Sequence, residues 1–297
     1  MEPLNPSPPV PFRRIELRAL LQEHKGTIAK FVPRWLLMSL ERLLHLQEIN
    51  DLLEKHFGDD PLTFIRSVNE LFQLSPVIHG KDRLVSSLDK RPIIVANHPL
   101  GGPESLVLME VVGNVTNDVR MVAKEVLTAL KPLAPVLTPI PNPKKRQSCA
   151  AFKRDFATDI PIIVFPAGYC SRPLSNGTLF DYQWYPTFVK MARRSGRPIL
   201  PIHIDGENSK RFYRLSSLRR NLHVKTSLES LFLPDEMFRQ RGKVITLTVG
   251  ELIQTELLPQ TKSDWHWADM IRNHVFALGS SLDMVFDPHA TAILPLK

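Results

Sequence analysis

The chain has 297 residues, of which 43% are hydrophobic and 23% charged, a globular composition that excludes a disordered or fibrous protein. Lys and Arg number 38 against 30 Asp and Glu, a formal net charge of +8, which points to an anionic partner: nucleic acid, an anionic membrane, or an acidic substrate or carrier. Cys149 and Cys170 make no disulfide framework, and no apolar run approaches the ~18–20 residues that span a bilayer.

In chain order, residues 1–11 hold five prolines, and 1–14 are expected to form a flexible arm. No basic stretch followed by an apolar one marks a leader, so the expected place is the cytoplasm or the cytoplasmic side of a membrane. Residues 15–75 read as helical. Leu36, Leu40, Leu43, Leu44, Leu46, Ile49 and Leu53 recur at spacings of three and four, which predicts one long amphipathic helix over Arg34–Phe57, ended by Gly58. Asp60-Pro61 opens a shorter one, with Asp60 as cap and Pro61 in the first turn.

From about Val77 short apolar runs alternate with helical stretches. Strands are expected at Ile93–Ala96, Val119–Val122, Ile162–Phe165, Ile199–Ile204 and Val244–Val249. Helices are expected near Glu104–Val112, Lys124–Leu130, Ser148–Ala157, Pro186–Arg194, Ser209–Leu218 and Ser263–Leu278. The alternation predicts an α/β fold, a largely parallel central sheet flanked by helices, over residues 76–280, preceded by the N-terminal helical segment and followed by a tail at 281–297.

Three clusters follow strands, where parallel sheets place their sites. After Ile93–Ala96 comes Asn97-His98-Pro99-Leu100-Gly101-Gly102-Pro103-Glu104. Glu104 can accept from one imidazole nitrogen of His98 and leave the other free as a base, the orienting half of a triad whose nucleophile would be a substrate hydroxyl. The plainer alternative is that His98 closes a turn and Glu104 caps a helix. After Ile162–Phe165 comes Phe165-Pro166-Ala167-Gly168-Tyr169-Cys170-Ser171-Arg172, either an anion site or a simple turn with a solvated arginine. After Ile199–Ile204 come Asp205, Asn208 and the basic start Ser209-Lys210-Arg211. His203 and Asp205 point the same way along a strand, so a metal site with His98 is conceivable, but a hydrogen-bonded polar pair is the commoner outcome. From Gly206 to Lys243 there are nine Lys or Arg against four Asp or Glu, and Lys144-Lys145-Arg146 is a second basic cluster; either can be a solvated face. Motifs for common nucleotide, serine-hydrolase and RNA-binding sites are absent.

In order and spacing these clusters resemble the glycerolipid acyltransferase superfamily, of the 1-acylglycerol-3-phosphate acyltransferase type. The form Asn97-His98-Pro99-Leu100-Gly101-Gly102 is similar to its hemolysin-like branch, which acylates lyso-aminoacyl lipids, as are Asp205-Gly206-Glu207-Asn208-Ser209 and Leu233-Pro234-Asp235-Glu236-Met237-Phe238. The resemblance spans residues 34–275. The branch usually has Asp where this chain has Glu104, and often a glutamate where Ala167 and Tyr169 stand.

The resemblance implies transfer of an acyl group from a thioester to a hydroxyl of a lyso-aminoacyl lipid or lysophospholipid. His98 is then the base, oriented by Glu104, and backbone N–H groups near Gly101 and Gly102 hold the oxyanion. Asn97, Phe165, Pro166, Gly168, Ser171, Arg172, Asn208, Lys210 and Arg211 line the substrate site, with Arg172 on an acidic head group or on the donor's phosphate. No metal or resident cofactor is implied. Acyl carrier protein, or alternatively CoA, brings the acyl group, and an acidic carrier suits Lys144–Arg146 or Lys210–Arg220. The expected setting is the cytoplasmic face of the inner membrane, bound peripherally to an anionic surface with no nucleic-acid partner. The alternative is a catalytically weak or inactive lipid-binding member of the fold, for which Glu104 and Tyr169 speak.

Overall fold

The computed structural model describes residues 12, 14–25, 32–174, 176–222 and 228–290. Most of the expected arm lies outside them, but its end is fastened. Arg14 sits 2.8 Å from Asp51 and 2.7 Å from Glu54, and Phe12 packs edge-on against Phe57. Helix α1 (Leu17–Lys25) follows.

The single helix expected over Arg34–Phe57 is two. Helix α2 spans Arg34–Leu43 and α3 spans Leu46–Lys55, with His45 between them in the left-handed region at φ 46°. The cause is tertiary. The His45 ring stacks on Phe238 at 3.9 Å and its Nε2 lies 3.3 Å from Asp235, contacts made possible by the break. Helix α4 (Pro61–Leu71) starts as its sequence predicts, with Asp60 accepting from the N–H groups of Leu62 and Thr63 at 3.1 Å.

The sheet begins with β1 (Ser75–His79) and α5 (Lys81–Leu88), then β2 (Ile93–Ala96) and α6 (Pro103–Thr116). Next come β3 (Arg120–Ala123), β4 (Leu137–Pro139), α7 (Arg146–Asp155) and β5 (Ile162–Val164). A small antiparallel hairpin, β6 (Arg172–Pro173) and β7 (Leu179–Phe180), stands apart from the sheet. Then follow α8 (Thr187–Ser195), β8 (Ile199–Ile204), α9 (Lys210–Asn221), α10 (Leu233–Arg239), β9 (Val244–Val249) and α11 (Asp264–Leu278). The seven-stranded order is β1-β9-β8-β2-β5-β3-β4. Only the β8–β9 pairing is antiparallel, so β8, β2, β5, β3 and β4 end on one edge.

The expected strands at 93–96, 199–204 and 244–249 form as read, the one at 119–122 is shifted by one residue to 120–123, and the one at 162–165 ends one residue earlier. The helix expected at Lys124–Leu130 is instead a short 3₁₀ turn over Glu125–Ala129, because the chain must turn back within a few residues into β4, alongside Pro132 and Pro135. Besides the small hairpin, the strands not predicted are β1 and β4, the edges of the seven-stranded sheet, where Pro76 and Pro139 cost no shared ladder bond.

Both faces of the sheet are covered. Ile94, Ala96, Ile163, Leu200 and Ile202 pack toward a core shared with Leu53, Phe64, Val68 and the apolar residues of α6. Ile93, Val95, Ile162, Val164 and Ile199 point the other way, onto Trp184, Phe188, Trp267 and Ile271. This is why β2 reads as an unbroken apolar run. Each such buried Val or Ile contributes about 1.5–3 kcal/mol, which holds a four-residue strand that propensity alone would not. At the opposite edge from the strand ends, the wholly buried Arg197 donates to the carbonyls of Arg91, Pro92, Phe156, Thr158 and Ile160. Burial lowers its pKa to about 10.

Candidate active site

The loop after β2 is built around Glu104. This side chain, the second residue of α6, has no exposed surface. One carboxylate oxygen accepts from the N–H groups of Leu100 and Gly101 at 2.8 Å, and the other from Gly102 at 2.9 Å. His98 Nδ1 lies 3.0 Å from the first oxygen, at ion-pair distance though off the best hydrogen-bond line. Burial alone would raise the Glu104 pKa, but the nearby His98 and the loop N–H groups outweigh it and hold it below the usual carboxylate range. The start of α6 adds its own favourable field.

Gly101 is left-handed at φ 91°, and a Cβ there would stand 2.6 Å from Cys170 Sγ and 2.8 Å from Leu233. Only glycine fits. The N–H groups of Gly101 and Gly102, expected to hold a substrate oxyanion, are instead bonded to Glu104. The glycines solvate the protein's own carboxylate.

His98 is otherwise held by its backbone. Its carbonyl accepts from Ser171 N–H at 2.8 Å, its N–H points to Asp181 at 3.4 Å, and its ring tilts over Phe165 at 4.5 Å. Phe165 directly follows β5, so the first and second clusters do converge. Pro166 accepts from Tyr185 N–H, and Gly168 (φ 67°) closes the turn onto the Phe165 carbonyl. Ser171 Oγ donates to Asp181 at 2.6 Å, which also accepts from Trp184 at 2.8 Å.

Several expected ligand residues have other work. Asn97 is buried and exchanges two hydrogen bonds with the Ile204 backbone, at 2.7 and 2.8 Å, tying β2 to β8. Arg172, expected to bind an anionic substrate group, is turned into the protein. It is 5% exposed and donates to Ser216, to the carbonyls of Cys170 and Ser171, and to Glu229 at 3.1 Å, with Phe212 against its guanidinium. Asn208 donates to the carbonyls of Pro99 and Leu100 at 3.1 and 3.2 Å, so it braces the His98 loop from behind. Lys210 and Arg211 are exposed at the start of α9; Arg211 lies over Phe232 and 3.9 Å from Asp235, away from the His98–Glu104 pair. Nor does His98 join His203 and Asp205 as metal ligands: among the described residues no three His, Cys, Asp or Glu side chains converge in that way.

Three buried groups to which sequence reading assigned no role shape the site. Asp181 is one. Glu236 on α10 is another: it accepts from Ser209 N–H at 2.7 Å and Ser209 Oγ at 2.5 Å, fixing the segment that carries Asn208. Glu229 is the third, as the counter-ion of Arg172 and of Arg219. Apart from Trp184, three residues after Asp181, these partners lie 10 to 57 residues away, so no local pattern announces their roles.

The largely parallel sheet thus carries a histidine–carboxylate pair at the edge where its strands end. The model of the acyltransferase family matches residues 19–285, and the chain belongs to this family. It is similar to the lyso-glycine lipid O-acyltransferase of Phocaeicola vulgatus, 31% identical over 267 residues, covering 89% of this chain and 95% of that one. The protein of the same name from Bacteroides thetaiotaomicron is 30% identical over 269 residues, covering 89% and 97%. Among crystal structures, that of the 1-acyl-sn-glycerophosphate acyltransferase PlsC from Thermotoga maritima aligns with a TM-score of 0.44 at 15% identity, over 88% of this chain and 92% of that one.

Proposed function

We propose that this protein moves an acyl group from a thioester to the free hydroxyl of a lyso-aminoacyl lipid, with His98 as general base. The observation that carries the reading is the 3.0 Å approach of His98 Nδ1 to a wholly buried, charged Glu104. Nδ1 protonated toward Glu104 leaves the Nε2 lone pair free. Nε2 takes the hydroxyl proton as the oxygen attacks the thioester carbonyl, Glu104 stabilises the imidazolium, and collapse of the tetrahedral intermediate returns that proton to the departing thiolate. The acceptor class follows the names of the two relatives. The test is to incubate the purified chain with an acyl thioester and lyso-glycine lipid. A product heavier by one acyl group, with one free thiol released per product, is expected. No product with any lyso-lipid or donor overturns the reading.

Acyl carrier protein is the donor this reading favours. Lys124 follows β3 and Lys144, Lys145 and Arg146 follow β4, all exposed on the edge that carries His98. The acceptor is reached by peripheral docking on the cytoplasmic face of the membrane. Among the described residues no helix is long and apolar enough to cross a bilayer. Helix α2 instead buries Leu37 while leaving Trp35 69% and Met38 44% exposed, with Arg34 and Arg42 on the same helix. The protein is therefore expected to bind anionic vesicles better than neutral ones, and salt to weaken that binding without abolishing it. Equal binding to both, measured by co-sedimentation, would remove the electrostatic part.

A further inference from the structure

A cavity of about 330 Å³ opens beside the His98 loop, walled by Asn97 and Pro99, which bracket His98, and by Ser171, His203, Asp205 and Phe276 among others. Its mixed polar and apolar wall suits a head group better than an alkyl chain, and its size lies at the small end for ligand sites. Two features give it chemical character. First, His203 Nδ1 is buried and unpartnered, with Asp205 at 3.6 Å, beyond hydrogen-bond distance. The ring is fixed in place: a Cβ on Gly279 would meet it at 2.5 Å, and Phe276 stands edge-on at 5.8 Å. Burial lowers the His203 pKa, which keeps the imidazole neutral.

Second, the wall carries one formal charge. Among the described residues no Lys or Arg lines the cavity, and Asp205, 59% exposed as a side chain, is its one permanently charged group. Arg272 lies behind, under the Phe180 ring and wholly buried, where Asp269 at 3.3 Å and the charge of Asp181 oppose it. A purely anionic group entering this cavity meets a like charge with no cation on the wall to offset it. An ammonium meets an opposite one.

We propose that this cavity is the acceptor's head-group site, that His203 Nδ1 hydrogen-bonds the head group, and that Asp205 makes the site prefer an ammonium-bearing head group to a purely anionic one. This rests on the acyl-transfer reading and adds a specificity that reading does not contain. The atom that reacts is the acceptor hydroxyl near His98, while the charge selected is carried by the head group.

The test measures kcat/KM for three lyso-lipids of one chain length: a diamino-acid amide, a glycine amide and a lysophosphatidate. The wild type is expected to favour the diamino-acid amide over the glycine amide roughly 2- to 5-fold, the scale of a partly exposed charge pair, and to use lysophosphatidate least. Asp205→Asn should level the first two, and Asp205→Lys should invert their order; both change an exposed side chain and leave the core alone. His203→Gln should raise KM for all three roughly 2- to 12-fold, the scale of one hydrogen bond, with kcat little changed. A wild type that prefers either anionic acceptor, or a preference that survives Asp205→Asn, overturns the proposal. Transfer to none of the three would overturn the acyl-transfer reading itself.

Discussion

His98→Ala is expected to lower kcat/KM by about 10²–10⁴-fold, the usual effect of losing a general base, while the protein stays folded. The two consequences separate because of where His98 sits. Its backbone contacts, to Ser171 and Asp181, survive the substitution, and the side chain touches the core chiefly through Phe165. What the variant loses is the nitrogen that receives a proton. Product formation from acyl thioester and lyso-lipid, read beside a thermal melt, checks both halves. Full activity in a folded variant would remove His98 from the chemistry.

Glu104 should behave differently, because it is part of the fold as well as of the site. Its two oxygens accept three backbone N–H groups and face His98. In Glu104→Gln an NH₂ replaces one oxygen and opposes a buried backbone donor, which costs about 1–3 kcal/mol for each donor left without a partner. The imidazolium also loses its counter-charge. Most activity and a measurable part of stability should go together. Glu104→Asp keeps the charge but falls short by one methylene, and part of the activity should remain. The acid dependence has a definite sign. With a folded pKa below its unfolded value of 4.5, the Glu104 carboxylate contributes stability that is complete above that value and lost as pH falls through the folded one. The stability gap between wild type and Glu104→Gln should therefore narrow in acid melts. A Gln variant with wild-type activity would reduce Glu104 to a helix-start residue.

The central strands and the His98–Glu104 pair were legible because both are local. A strand buried on two faces must be apolar throughout, and the pair belongs to one loop between a strand end and a helix start. The edge strands were not legible, since Pro76 and Pro139 argue against a strand unless its outer side is known to be free. Arg172 looked like a ligand for phosphate because the residue that neutralises it, Glu229, is distant in sequence. The glycines at 101 and 102 looked like an oxyanion site for a related reason. Their N–H groups do bind an anion, and the anion is the glutamate a few residues on. His45 carries the same lesson at the level of the helix: a leucine pattern fixes which face is buried, but a stacking partner 193 residues later, Phe238, decides where the axis breaks.

The placement of α10 bears on modularity. On one side Asp235 and Phe238 receive His45 at the elbow between α2 and α3. On the other side Glu236 holds Ser209, whose neighbour Asn208 holds the carbonyls of Pro99 and Leu100. A seven-residue helix thus serves as the common keystone for the N-terminal helices and for the loop that carries His98. Cutting the chain after α3 would leave that keystone seated from one side alone. The N-terminal helices are therefore not an anchor hung on a self-sufficient enzyme. They belong to the same mechanical unit as the loop of His98, and they could not be exchanged for another anchor without refitting α10.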